Sequence, residues 1–232
     1  MSDIAERILY EDNHIIIINK NAGEIVQGDK TGDVPLSEKI KEFLKEKYQK
    51  PGNVFCGVIH RLDRPVSGIV IFAKTSKGLA RMNELIKNRE IKKIYCTIVE
   101  GKLEKKEDFL RHFLHKNEKL NKSFVVSEEK NGQLAELHYK VIKELQFYSI
   151  VEVELLTGRH HQIRVQLSTI GNAIKGDVKY GGKRPNRDLS ISLHARSIEF
   201  THPISKKQIS ISAPFPKNDL WKEIDNKEPI SQ

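Results

Sequence analysis

The chain has 232 residues, room for one large domain or two small ones, and its 38% hydrophobic fraction supports a globular core. Forty Lys and Arg against 31 Asp and Glu give a net charge of +9, which favours a polyanionic partner, nucleic acid above all, over a merely solvated basic surface. Two distant cysteines, Cys56 and Cys96, exclude a disulfide framework and zinc-ligand spacing and point to a reducing cytoplasm, and no stretch approaches the ~18 apolar residues of a membrane span.

The first residues lack the apolar core of a signal peptide. Ile8-Leu9-Tyr10 and residues 14–19 read as strands, joined by a tight turn at Glu11-Asp12-Asn13. Residues 20–23 read as a second turn and 24–27 as a further short strand. Leu36, Ile40, Phe43, Leu44 and Tyr48 recur at helical spacing, which predicts a helix over 35–49. Residues 69–73 are a continuous apolar run of the kind a buried strand shows. Thr75-Ser76 can cap a helix over 77–88 whose stripe is Leu79, Met82, Leu85 and Ile86.

Residues 91–101 read as a strand ending at Gly101. Residues 102–131 are the most polar part, expected to be a surface excursion with one or two short strands, one near 123–126. Asn121-Lys122-Ser123 matches a glycosylation sequon by chance. Alternation over 134–144 and 147–156 predicts a hairpin within a sheet, followed by a helix over 160–170. A Gly- and Lys-rich loop spans 171–186, a last hairpin pairs 192–201 with 208–213, and a short helix lies near Leu220, Trp221 and Ile224. Without repeats or a linker, this irregular alternation gives the α+β class: a mixed, largely antiparallel central sheet with flanking helices and loops.

One carboxylate, Asp63, sits in the polar cluster His60-Arg61-Leu62-Asp63-Arg64, between apolar runs and just before the breakers at 65–68. Cations hold a carboxylate ionised, and on a loop against a buried strand it can act as nucleophile or base. On spacing alone the same group reads as a surface ion pair or a turn. The order His-Arg-Leu-Asp-x-x-x-Ser-Gly, followed by an apolar strand and Ala73-Lys74, closely resembles the catalytic motif of pseudouridine synthases of the RluA type. The resemblance makes Asp63 the catalytic residue. Val66 stands where that family often has Thr, at a position that resembles a packing site.

A second signature, Gly158-Arg159-His160-His161-Gln162-Ile163-Arg164-Val165-Gln166-Leu167, resembles the same family. There the final Arg pairs with the catalytic Asp, which here implies Arg164 with Asp63. Spacing alone places Arg164 at the edge of the apolar stripe, as a solvated helix residue. The His160-His161 pair suggests no metal: adjacent helical residues point about 100° apart and no further ligand stands at ligand spacing. Lys93-Ile94-Tyr95 with Val99 resembles a third family motif, which implies that the Tyr95 ring stacks on the target base and that its hydroxyl is a candidate for proton removal. Alone, Tyr95 is an ordinary half-buried strand aromatic. Residues 171–182 and Leu193-His194-Ala195 match further family segments, read as architecture and RNA-facing loops, with Ala173 in place of the usual Pro. Arg61 resembles the residue that contacts the flipped nucleotide, and His60, Arg64, Arg159 and His161 are expected to bind RNA.

The resemblance covers about residues 8–216 and implies one catalytic domain over 1–232, without a separate RNA-recognition domain. It implies an isomerase acting on uridines of transfer or ribosomal RNA, as a cytoplasmic monomer with no obligatory protein partner. The reaction breaks the glycosidic bond, turns the base and rejoins the ribose to carbon 5, so no cofactor or metal is expected. Two other classes stay open: a non-catalytic RNA-binding or RNA-folding module with an idle site, and an N-glycosidase, for which no second carboxylate is placed to activate water.

Overall fold

Four consecutive isoleucines, 15–18, leave a strand no polar face, so both of its sides must be covered. The computed structural model, which describes residues 3–217 and 219–224, buries all four completely. Contacts divide the chain into two compact units, one formed by the chain up to Ile91 with Arg196–Phe215, the other by Lys92–Ala195 with the residues from Pro216 onward.

The first unit runs α1 (Asp3–Glu6), β1 (Ile8–Glu11), β2 (Ile15–Lys20), α2 (Leu36–Lys47), β3 (Gly57–Val58), β4 (Ser67–Ala73) and α3 (Ser76–Lys87). Strand β2 pairs antiparallel with β1 on one side and β4 on the other, and β3 adds to the end of β4. Every residue of β4 is buried, as its apolar run requires. The expected turn at 11–13 is built by Asp12, whose Oδ1 accepts from the His14 and Ile15 amides. Residues 24–27 form no strand. The carbonyls of Ile25 and Val26 accept instead from the amides of Leu36 and Ser37, the first helical N–H groups of α2, which Pro35 does not cap with a side chain. That use of the backbone replaces sheet pairing.

Helix α3 starts as expected, with Thr75 Oγ1 accepting from the Gly78 amide. A Cβ at Gly78 would lie 2.7 Å from the His14 carbonyl oxygen, which already accepts from the Lys74 amide. In the same unit, Lys47, Lys74 and the Tyr48 hydroxyl all donate to the Glu11 carboxylate. Burial alone would push the Glu11 pKa up; the donors from Lys47, Lys74 and Tyr48 outweigh it and bring it down to about 2.

The second unit runs β5 (Lys92–Glu100), β6 (Glu107–Asn117), β7 (Lys122–Val126), β8 (Gln133–Glu144), β9 (Tyr148–Leu155), α4 (Gln162–Thr169) and a 3-10 turn over Val178–Tyr180. Its strands pair antiparallel in the order β5-β9-β8-β6-β7. The surface excursion expected at 102–131 holds the short strand expected near 123–126, as β7, but its other strand is not short, which is a correction. It holds an eleven-residue strand, β6, paired with β8 from Glu107↔Lys140 to Leu114↔Gln133. Only Leu110 and Leu114 of β6 are buried, so its sequence carries too few apolar positions to announce a strand. Helix α4 lies against β6 and β7: Val165 packs with Leu114, Ala135 and Tyr180. Strand β10 (Leu193–Thr201) pairs over its second half with β11 (Gln208–Ser212), as the last predicted hairpin, and Asp219–Glu223 is a 3-10 turn. The class is α+β. Among the described residues no helix is long and apolar enough to cross a membrane.

Two stability outcomes follow. Gly78→Ala is expected to destabilise by about 1–3 kcal/mol, because the clash is with backbone and exceeds the ~1 kcal/mol that alanine gains in a helix. A urea melt matching wild type would refute the close approach. Glu11 titrates in the fold far below its ordinary value of 4.5. Its stabilising contribution is therefore complete above about pH 4.5 and lost as pH falls toward 2. Glu11→Gln is expected to cost about 3 kcal/mol at pH 7, by leaving Lys74 without its carboxylate, and much less at pH 3. Parallel unfolding curves at the two pH values measure this.

Candidate active site

The Asp63 loop is fixed at both ends by apolar anchors. After β3, Ile59 and Leu62 are buried, and Val66 and Ser67 are buried on the way into β4. The Val66 amide donates to the Asp63 carbonyl at 3.0 Å, closing the turn through Arg64 and Pro65. Val66 is 2% exposed, a packing position. Asp63 itself is half-buried. His60 is half-buried too, and its Nε2 accepts from the Ile71 amide at 3.1 Å. A backbone amide can only donate, so this nitrogen carries a lone pair. Arg61 is exposed. Arg64 turns its guanidinium to the 29–33 loop, reaching Asp33 at 2.6 Å and Thr31 Oγ1 at 2.7 Å.

Sequence reasoning missed Lys20. Its side chain is 1% exposed, and its ammonium donates to the carbonyls of Asn21, Glu24 and Arg64. Burial pushes its pKa down to about 8, against the pull of the Glu24 and Asp63 carboxylates. The signal was present: Ile16, Ile18 and Lys20 share one face of β2, so the strand's period of two puts this ammonium on a buried side. Lys20 ties the turn after β2 to the carbonyl that follows Asp63 in the chain.

In the second unit, Tyr95 sits in β5 opposite Val153 of β9 and is 8% exposed. Lys93, two residues earlier on the same face, has its pKa lowered by burial. The lead-in to α4 is held by Gln162, whose Oε1 accepts from Thr157 Oγ1 and the Arg159 amide. Arg159 donates through Nε to the Leu134 carbonyl. His161 is buried, with Nδ1 2.8 Å from the Tyr180 hydroxyl.

Arg164 is not the solvated helix residue that spacing suggested. Its side chain is 6% exposed and forms a two-point pair with Asp177, itself 1% exposed: Nε to Oδ2 at 2.6 Å and Nη2 to Oδ1 at 2.8 Å. A charge buried this far needs an opposite charge and full hydrogen bonding. The Tyr180 ring lies 5.0 Å from the guanidinium carbon. Asp177 is positioned by its own backbone: its carbonyl accepts from the Tyr180 and Gly182 amides, and a Cβ on Gly182 would meet it at 2.9–3.0 Å. Asp177 was the second residue missed. It stood in the sequence as the one carboxylate of the 171–182 segment, and a buried Arg demands such a partner. With the Nε–Nη2 edge of the fork on Asp177, any further acceptor would have to approach from the Nη1 side.

A family model described as RNA pseudouridylate synthase matches residues 14–169. The uncharacterized RNA pseudouridine synthase YhcT of Bacillus subtilis (strain 168) is 36% identical over 215 residues, covering 90% of this chain and 68% of that protein. The ribosomal large subunit pseudouridine synthase C of Escherichia coli (strain K12) is 31% identical over 220 residues, covering 91% and 67%. Among solved structures, human RNA pseudouridylate synthase domain containing 4 superposes with a TM-score of 0.78 at 21% identity, over 92% of this chain and 90% of that one, which shows a shared fold. With most of its length inside the family model and relatives above 30% identity along two thirds of their own length, the chain belongs to the RNA pseudouridylate synthases, isomerases that convert uridine in RNA to pseudouridine.

Proposed function

We propose that Asp63, Tyr95 and Arg164 serve one reaction on a uridine extruded from a structured RNA. Asp63 is the carboxylate that works on the nucleoside, Arg164 the cation that answers it, and Tyr95 the ring on which the freed base rests. The C1′–N1 bond breaks, the base turns, and a C1′–C5 bond forms; C5 loses a proton and N1 gains one, so the product is an isomer. The target base leaves its stack to reach the site. Arg61, His60, Arg64, Arg159 and His161 contact the RNA around it, and the surface Lys and Arg hold phosphates with steep salt dependence.

The observation that supports this reading best is the anchoring of the Asp63 loop, by buried Leu62 and Val66 and by the Lys20 ammonium on the Arg64 carbonyl. A reacting group held in place needs less reorganisation at the moment of reaction. The pairing of Arg164 with Asp63 rests on the motif resemblance. Large-subunit ribosomal RNA is the first substrate to test, since relatives at 31% identity carry that name, and transfer RNA is the second. The chain acts as a single catalytic domain, a monomer, in the cytoplasm.

Release of tritium from RNA labelled at uridine carbon 5 reads the reaction directly. Wild type is expected to release it and Asp63→Asn to fall by a factor of 1,000 or more, with RNA affinity within about threefold. Equal release from both would remove Asp63 from the chemistry, and release from neither would leave an RNA-binding module. Asp177→Asn is expected to lower single-turnover release by roughly 10- to 100-fold through a displaced Arg164, with KM for RNA little changed. Arg164→Lys should fail similarly, because an ammonium cannot reproduce the two-point pair. Full activity in Asp177→Asn would show that Arg164 needs no such support.

A further inference from the structure

The adjacent histidines before α4 stack at 3.7 Å, and the outer one, His160, touches the tip of the β6–β7 hairpin. Its Nδ1 lies 2.8 Å from Ser123 Oγ, and its Nε2 lies 3.1 Å from Asn121 Oδ1. The Ser123 hydroxyl has one proton, which it donates to the His160 carbonyl at 2.7 Å. Ser123 must therefore accept from Nδ1–H. Asn121 Oδ1 can only accept, so Nε2 must also carry a proton. A neutral imidazole has one N–H; two donors make it an imidazolium.

The surroundings act in both directions. The Glu118 carboxylate, in the same hairpin turn, interacts electrostatically with His160 and favours its charge, although Lys116 is bonded to Glu118 at 2.7 Å. Lys179, which donates to the Asn121 carbonyl, and Lys122, over the Tyr180 ring, oppose it, as does Arg159 next in the chain. His161 is turned to the Tyr180 hydroxyl, which accepts from the buried Ser123 amide. The two acceptors are in direct contact with the ring, so these contacts dominate.

We infer that protonated His160 is a positioning residue, a latch that fastens the β6–β7 hairpin tip to the lead-in of α4 and makes RNA binding by this enzyme pH-dependent. The lead-in carries Arg159 and His161, so the inference rests on their proposed RNA contacts. In the latched fold the two acceptors on its ring favour the charged imidazole. The latch is complete while the ring is charged and is lost as rising pH takes the proton from one of the two bonds.

The test joins histidine-ring NMR titration, hydrogen exchange of residues 117–124 and steady-state kinetics, all on the full chain between pH 6 and 8.5. His160 is expected to titrate above 7. Hairpin protection, corrected for intrinsic exchange, should fall at least fivefold across the range, while KM for RNA rises about three- to tenfold beyond any change in kcat. Asn121→Asp should carry the latched state to higher pH, and His160→Gln, which cannot titrate, should flatten both curves. A His160 pKa at or below about 6.5, which would mean that Asn121 donates through its amide, overturns the inference. So does protection that ignores pH, or a KM curve that His160→Gln leaves unaltered. Absence of catalysis under every condition would refute the proposed function while the titration and exchange results still judged the latch.

Discussion

Burying a cation obliges a chain to surround it with oxygen, and this constraint shapes both units. Lys20 and Arg164 are each at least nine-tenths buried, where water cannot reach to satisfy their donors. Lys20 meets the requirement with three carbonyls, Arg164 with a carboxylate. The two answers have different effects. Carbonyls from Asn21, Glu24 and Arg64 bring two stretches of backbone to one point, so the turn after β2 and the loop after Asp63 become one object. A carboxylate gives Arg164 a fixed plane, which orients every N–H that the fork has left.

Much of the scaffold was legible because its residues repeat with the period of the element they form. The isoleucines of β2, the apolar run of β4 and Leu36, Ile40 and Leu44 of the α2 stripe lie where their spacing puts them, although Tyr48 falls past the helix end and is exposed, and Thr75 caps α3 as its position implies. The failures share a cause. Ile25 and Val26 look like strand residues, yet their carbonyls are taken by a helix start that periodicity cannot see. Strand β6 reads as a charged excursion because one of its faces is largely in water and its order comes from the backbones of β7 and β8. In both cases the deciding hydrogen bonds belong to partners distant in sequence.

The site divides in the same way. Motifs drew attention to Asp63, Tyr95 and Arg164, but not to the charged groups around them. Lys20 carries no sequence mark beyond a charge in a buried register, and Asp177, inside the matched 171–182 segment, reads there only as architecture. Several residues expected to face RNA also hold the protein together: His60 accepts from the Ile71 amide, Arg64 binds Asp33, and Arg159 binds the Leu134 carbonyl. Arg61 is exposed. A motif read as a row of ligand contacts is thus partly a set of instructions for the shape of its own loop.

The start of α2 has a consequence of a different kind. Because Ile25 and Val26 set that helix through main-chain oxygens, the intervening residues 27–34 have no part in fixing its register, and they lie almost entirely in solvent. Lengthening or recharging them is therefore expected to leave the register of α2 unchanged. Yet Asp29, Thr31 and Asp33 within this segment are the groups that engage Arg64, the residue after Asp63. A change in this segment would therefore reach the Arg64 side chain next to Asp63 while leaving the strands of the unit unaltered.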